Sequence, residues 1–203
     1  MIARLPPHAP GMRIGLFGGS FDPPHEGHLL VSEIALRRLR LDRLWWLVSP
    51  GNPLKDPAGR ASLKERLDAC RKLAKSPRIV VSALESEIGT RFTYDTLRYL
   101  RRHCPGVRFV WIMGADNLLD FHRWRRWRDI AALAPIAVID RPGATLRTAG
   151  AKAARSLAPW RLNERDAPRL ASMSPPAFVL LHERRLAQSS TALRAGQRKT
   201  GSV

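Results

Sequence analysis

Phe17-Gly18-Gly19-Ser20-Phe21-Asp22-Pro23-Pro24-His25-Glu26-Gly27-His28 follows directly on the short apolar run Met12 to Phe17. A run of that kind reads as a buried strand, and the paired glycines stop it with a turn. From His28 to Arg38 apolar residues recur at helical spacing and the run ends on basic side chains, which suit a helix C-terminus. Strand, glycine turn and helix form the first half of a βαβ unit, whose next strand has to lie parallel to the first.

The remaining pattern repeats that alternation. Leu44–Val48, Arg78–Val81, Val107–Met113, Pro135–Ile139 and Phe178–Leu181 read as strands. Ser62–Leu73 and Thr93–His103 read as helices, with a closing helix from Ser190 onward. Residues 141–176 carry a weaker pattern and are expected to hold short helices or a surface excursion. The order predicts an α/β fold: a Rossmann-like, doubly wound parallel sheet with helices on both faces. At 203 residues the chain is expected to form a single domain, with its core over about 12–195 and flexible ends at 1–11 and 198–203.

Charge matters because it narrows the partners. Lys and Arg number 35 against 17 Asp and Glu, a formal net charge of +18, and such a field attracts polyanions: nucleic acid, an acidic membrane surface or small phosphorylated substrates. No stretch is long and apolar enough to span a bilayer, so no membrane role is expected. Cys70 and Cys104 lie outside any C-x-x-C spacing, and a reducing, cytoplasmic setting is expected. The basic residues are spread along the sequence rather than gathered into one tract, which argues against a dedicated nucleic-acid partner. The oligomeric state is left open, a homo-oligomer included.

In an open parallel sheet, ligands sit beyond the carboxyl ends of the strands. Glycines after the first strand let a phosphate approach the backbone, and the following helix N-terminus offers unpaired N–H groups. The turn matches neither G-x-G-x-x-G nor G-x-x-x-x-G-K-[ST]. His25 and His28, three apart, can face the same cradle and donate hydrogen bonds to phosphate oxygens. Their spelling, H-E-G-H, is not the H-E-x-x-H of a zinc site, and no protein metal site is expected.

His25-Glu26-Gly27-His28 resembles the (H/T)-x-G-H signature of the nucleotidyltransferase superfamily, and Ser189-Ser190-Thr191-Ala192-Leu193-Arg194 resembles its second, C-terminal signature. Three further segments are similar to those of bacterial nicotinate-nucleotide adenylyltransferases: Asn52-Pro53-Leu54-Lys55, Phe92-Thr93-Tyr94-Asp95-Thr96-Leu97, and Gly114-Ala115-Asp116-Asn117 with Trp124 beyond it. The resemblance runs from about Met12 to Arg194.

It implies adenylyl transfer from ATP, with Mg²⁺, to nicotinate mononucleotide, giving deamido-NAD and pyrophosphate. It further implies roles for individual residues. Gly18, Gly19, Ser20 and Phe21 would present backbone to phosphate, and His25 and His28 would bind the triphosphate. Gly114 and Asp116 would meet the adenosine. Ser189, Ser190, Thr191 and Arg194 would hold the leaving pyrophosphate, with His25, His28 and Arg194 acting in catalysis. Trp124 would stack on the pyridine ring, Thr93 and adjacent amides would read its carboxylate, and Asn52 and Lys55 would help place the mononucleotide. The alternatives are a nicotinamide-mononucleotide or pantetheine-phosphate adenylyltransferase and, from another class, a basic nucleic-acid-binding protein.

Overall fold

The computed structural model describes residues 3–50, 61–140 and 150–182. Six parallel strands form one sheet in the order β3-β2-β1-β4-β5-β6. They are β1 (Arg13–Gly19), β2 (Arg43–Val48), β3 (Ile79–Ser82), β4 (Arg108–Gly114), β5 (Ile136–Ile139) and β6 (Phe178–Leu181). The helices are α1 (Glu26–Arg38), α2 (Leu63–Leu73), α3 (Leu84–Glu87), α4 (Thr93–His103), α5 (Ala115–Phe121), α6 (Trp127–Leu133) and α7 (Lys152–Leu157). Shorter 3₁₀ turns at Ala158–Trp160 and Glu164–Ser172 lead into β6. The doubly wound sheet expected from the sequence is therefore present, and 150–176 holds the short helices expected of that region.

Both faces of the sheet are covered, which is why its central strands are near-continuous apolar runs. Residues alternate between two cores. Ile14, Leu16, Trp45 and Trp111 pack with α4, α5, α6 and α7. Phe17, Trp46, Val110 and Ile112 pack with α1, α2 and the Glu164–Ser172 turn. Trp45 and Trp46 thus face opposite ways from neighbouring positions, as the two-residue period of a strand requires.

Three helices, α3, α5 and α6, add to those the pattern predicts, and α1 begins at Glu26, earlier than expected. Residues 3–11 lie against the domain rather than trailing from it: Ala3 and Leu5 pack on one core, and the Gly11 N–H donates to the Gly106 carbonyl at 2.8 Å.

A parallel sheet also sorts charge. Arg13, Arg43 and Arg108 open β1, β2 and β4, and Arg78 immediately precedes β3, on the rim where α1, α2 and α4 end in Arg37, Arg38, Arg71, Lys72, Arg101 and Arg102. Acidic residues instead occupy first turns: Glu26, Glu65, Asp95, Asp116 and Asp129. Each sign thereby opposes the local helix dipole, and these basic residues, scattered in sequence, meet on the rim away from the strands' carboxyl ends.

Candidate active site

The carboxyl end of β1 carries glycines because neighbouring rings take the space of their side chains. A Cβ added at Gly18 would stand 2.7 Å from Cη2 of Trp111, itself 2% exposed, so no side chain fits between β1 and that indole. Phe21 adopts φ +47°, in the left-handed region, and its ring turns back to stack on Trp46 with centroids 4.9 Å apart. The His28 ring packs on Phe21 at 4.7 Å, and the His25 ring lies 3.9 Å from His28. Trp46, Phe21, His28 and His25 form a contiguous cluster of rings, with His28 also 6.1 Å from Trp46, that fixes both imidazoles beside the glycine turn.

Helix α1 starts here through an unusual cap. His25 sits at the N-cap with extended backbone, and its N–H donates to Nδ1 of His28, three residues on, at 3.1 Å. An imidazole takes the place that glutamate or glutamine holds in a capping box. A ring accepting at Nδ1 leaves Nε2 as its N–H, so the backbone selects the tautomer of His28. Behind it, the Ser32 hydroxyl donates to the His28 carbonyl at 2.7 Å and accepts from Trp46 Nε1 at 2.8 Å, tying the first turn of α1 to β2. Both histidines are buried, His25 at 5% and His28 at 8% exposure, where a hydrogen bond to an anion is strengthened by the low local dielectric.

Next to this cradle in the sheet stands β4, with Phe17 opposite Ile112. Gly114 caps α5 with extended backbone and Asp116 occupies the first turn, exposed at the same rim. On the far side of the sheet a second group assembles. Thr93 is the first residue of α4, and Trp124, in the connection between α5 and α6, packs edge-on against Phe121 and Trp111. Arg125 lies over the Phe92 ring at 4.7 Å and pairs with Asp95 at 3.4 Å, while Arg126 lies over Tyr94 at 3.9 Å. These two arginines join the Thr93 turn to the Trp124 turn. The Trp/Arg alternation itself divides, with Trp127 buried and Trp124 half-buried.

Sequence reasoning passed over several supports of this rim. Glu85, 5% exposed, accepts the Thr96 hydroxyl at 3.1 Å and its carbonyl accepts the Thr90 N–H, fastening α3 to the start of α4. Burial pushes its carboxyl up to about 7, with the Thr96 bond acting the other way. No local pattern marks Glu85 for this place. Arg66 is buried on α2, and here a signal exists: it falls within the apolar stripe Leu63, Leu67, Cys70. Cys70 and Cys104 are free thiols pushed by burial to about 12 and about 11, which removes both as nucleophiles.

Gly18, Gly19, Ser20, Phe21, His25 and His28 are thus brought together at the end of β1 and Gly114 and Asp116 at the adjacent end of β4, while Thr93 and Trp124 lie on two segments joined through their neighbours Phe92, Tyr94 and Asp95 with Arg125 and Arg126. Asn52, Lys55, Ser189, Ser190, Thr191 and Arg194 lie outside the described residues. Among the described residues no group of three or more His, Cys, Asp or Glu is placed to hold a metal ion, and no helix is long and apolar enough to cross a membrane.

A sequence model of the cytidylyltransferase-like family matches residues 16–196. Three proteins named "Probable nicotinate-nucleotide adenylyltransferase" are similar to the chain along almost its whole length. One from Bradyrhizobium is 59% identical over 90% of this chain and 95% of its own. One from Brucella suis is 56% identical over 93% and 97%, and one from Methylorubrum extorquens 60% identical over 90% and 99%. In fold, the chain is similar to the nicotinic acid mononucleotide adenylyltransferase of Plasmodium falciparum complexed with NaAD, with a TM-score of 0.68 at 18% identity, covering 91% of this chain and 83% of the other. A second structure of that protein, complexed with APC, gives a TM-score of 0.66 with the same coverage. The chain belongs to the cytidylyltransferase-like family and, within it, to the nicotinate-nucleotide adenylyltransferases.

Proposed function

We propose that this chain transfers the adenylyl group of ATP to nicotinate mononucleotide, forming deamido-NAD and releasing pyrophosphate, in NAD biosynthesis. One observation carries the phosphate chemistry: a histidine-capped helix start, its two imidazoles buried side by side, directly after the glycine turn that ends β1. An anion resting there meets main-chain N–H groups, the positive end of α1 and the Nε2–H of His28. The acceptor is supported by the names of relatives that are 56% and 60% identical to this chain.

In this reading a phosphate oxygen of the mononucleotide attacks the α-phosphorus in line. The new P–O bond forms as the bond to the β-phosphate bridging oxygen breaks, and that oxygen leaves with the electron pair on pyrophosphate. The acceptor phosphate is already an anion near neutral pH, so the protein has to position and neutralise rather than supply a nucleophile. Gly18 to Phe21, His25 and His28 stabilise charge that grows on the phosphate oxygens. Gly114 and Asp116 meet the adenosine, Trp124 the pyridine face, and Thr93 with its neighbouring amides the carboxylate. Ser189, Ser190, Thr191 and Arg194 hold the pyrophosphate, and Asn52 and Lys55 the mononucleotide. Mg²⁺ would enter with ATP and supply further charge neutralisation on the triphosphate. The chain works as one nucleotidyltransferase domain, in the cytoplasm, where its two free cysteines stay reduced.

The test is to supply ATP and Mg²⁺ with either nicotinate or nicotinamide mononucleotide and to follow dinucleotide and pyrophosphate together. The expected result is deamido-NAD with kcat/KM at least about tenfold above that of the amide, equivalent to about 1.4 kcal/mol. Equal rates on both acceptors would overturn the carboxylate selectivity. No product from either would overturn the function, and pantetheine phosphate would be the next acceptor.

A further inference from the structure

Arg66 has no part in the roles assigned above, yet its side chain reaches the turn after β1 that carries Ser20. It projects from the buried face of α2 and is 6% exposed. Nη1 donates to the carbonyls of Ser20 at 2.7 Å and Ser49 at 2.8 Å, Nη2 to that of Pro50 at 3.4 Å, and Nε to that of Ala61 at 3.1 Å. Those carbonyls come from three segments: the turn after β1, the exit of β2, and the residue before the N-cap of α2.

The place of these bonds in the sheet is informative. β1 and β2 pair as far as Gly19 opposite Val48, with a last bond from the Ser49 N–H to the Gly19 carbonyl at 2.9 Å. Beyond it the strands part, and Nη1 bridges the next carbonyl on each side. The guanidinium thus continues the pairing for one more rung, at the level of the phosphate cradle. Only a planar fork with donors in several directions can do this; a lysine ammonium is a compact point donor and cannot span the same carbonyls.

We propose that Arg66 is a positioning residue for adenylyl transfer, holding Ser20 of the cradle at a fixed spacing from the exit of β2. The proposal rests on the reading that this cradle receives the phosphates of ATP. In-line attack tolerates little displacement, and a shift of about 1 Å can cost about 100-fold in rate. Loss of the fork therefore acts on kcat more than on KM.

The experiment compares wild type, Arg66→Lys and Arg66→Ala at saturating ATP and nicotinate mononucleotide, with activity expressed per folded molecule. An inactive wild type would refute the functional reading and is distinguishable from failure of this inference. With an active wild type, Arg66→Lys is expected to lose at least about tenfold in kcat while both KM values stay within about threefold. If Arg66→Ala folds, millimolar guanidinium ion is expected to restore part of its kcat. An Arg66→Lys enzyme turning over within about twofold of wild type would overturn the role, as would a loss equal to the unfolded fraction or a folded Arg66→Ala unaffected by guanidinium.

Discussion

Glu85→Gln should change how stability depends on pH more than it changes the fold. In the native protein the Glu85 carboxyl is raised from 4.5 to about 7, chiefly by burial, the Thr96 hydroxyl bond offsetting part of the rise. A carboxyl raised in this way contributes its full stability below the unfolded value, and that contribution is lost as pH climbs through the folded one. At about 1.4 kcal/mol per pH unit, wild type loses about 3 kcal/mol from this group between roughly pH 4.5 and 7.5. Glutamine has nothing to ionise and still offers Oε1 to Thr96. Urea unfolding of both proteins across that window should therefore give a difference curve that rises by about 3 kcal/mol in favour of the variant, or roughly 6–12 °C in Tm for a domain of this size. Amide exchange in the first turn of α4 supplies a local readout, because Thr96 lies in that helix. A difference curve flat to within about 0.5 kcal/mol would refute the argument, since it would mean that Glu85 titrates alike in the folded and unfolded chain.

Three further outcomes are expected. His25→Ala and His28→Ala should each lower kcat by about 100- to 1,000-fold with smaller changes in KM for ATP, read from steady-state rates; unchanged turnover would remove the charge-stabilising role. Gly18→Ala drives a methyl to 2.7 Å from the buried Trp111 ring and should destabilise by about 1–3 kcal/mol, with near-ultraviolet dichroism reporting displacement of the indole; an unaltered melting curve would show that the ring yields freely. Trp124→Ala should raise KM for the mononucleotide well beyond that for ATP, with Trp124→Phe intermediate; equal effects on both substrates would assign Trp124 to packing alone.

The sheet was readable because its central strands are covered on both faces. Continuous apolar runs such as Leu44–Val48 and the buried part of β4 allow few other readings. The short helices were not readable in the same way. α5 follows Gly114 without a break, so strand, cap and helix share a few residues, and α6 opens at Arg126 in the left-handed region, a conformation no residue-type pattern announces there. The grouping of Gly18 through His28 around the end of β1 was visible since the stretch is local in sequence. The Thr93–Trp124 pairing was not, because it depends on Arg125 and Arg126 reaching Asp95, Phe92 and Tyr94 on another helix. Net charge was legible as a number but not as a distribution: the parallel arrangement, absent from composition, carries the basic last turns of α1, α2 and α4 to one rim.

The sheet order turns at the seam between β1 and β4, where α1 leaves to one face and α5 to the other. Such a seam divides two mononucleotide-binding halves, and related folds use the crevice to retain a dinucleotide cofactor. Under the proposed function the two halves are loaded separately and the covalent bond is made across the seam, so the molecule best matched to the whole crevice is the one just formed. Joining the halves converts two separate binding events into one tethered ligand, whose departure requires both contacts to break together. Under the proposed function, accumulated dinucleotide should then compete with both substrates at once, which inhibition by added deamido-NAD against each substrate in turn would show.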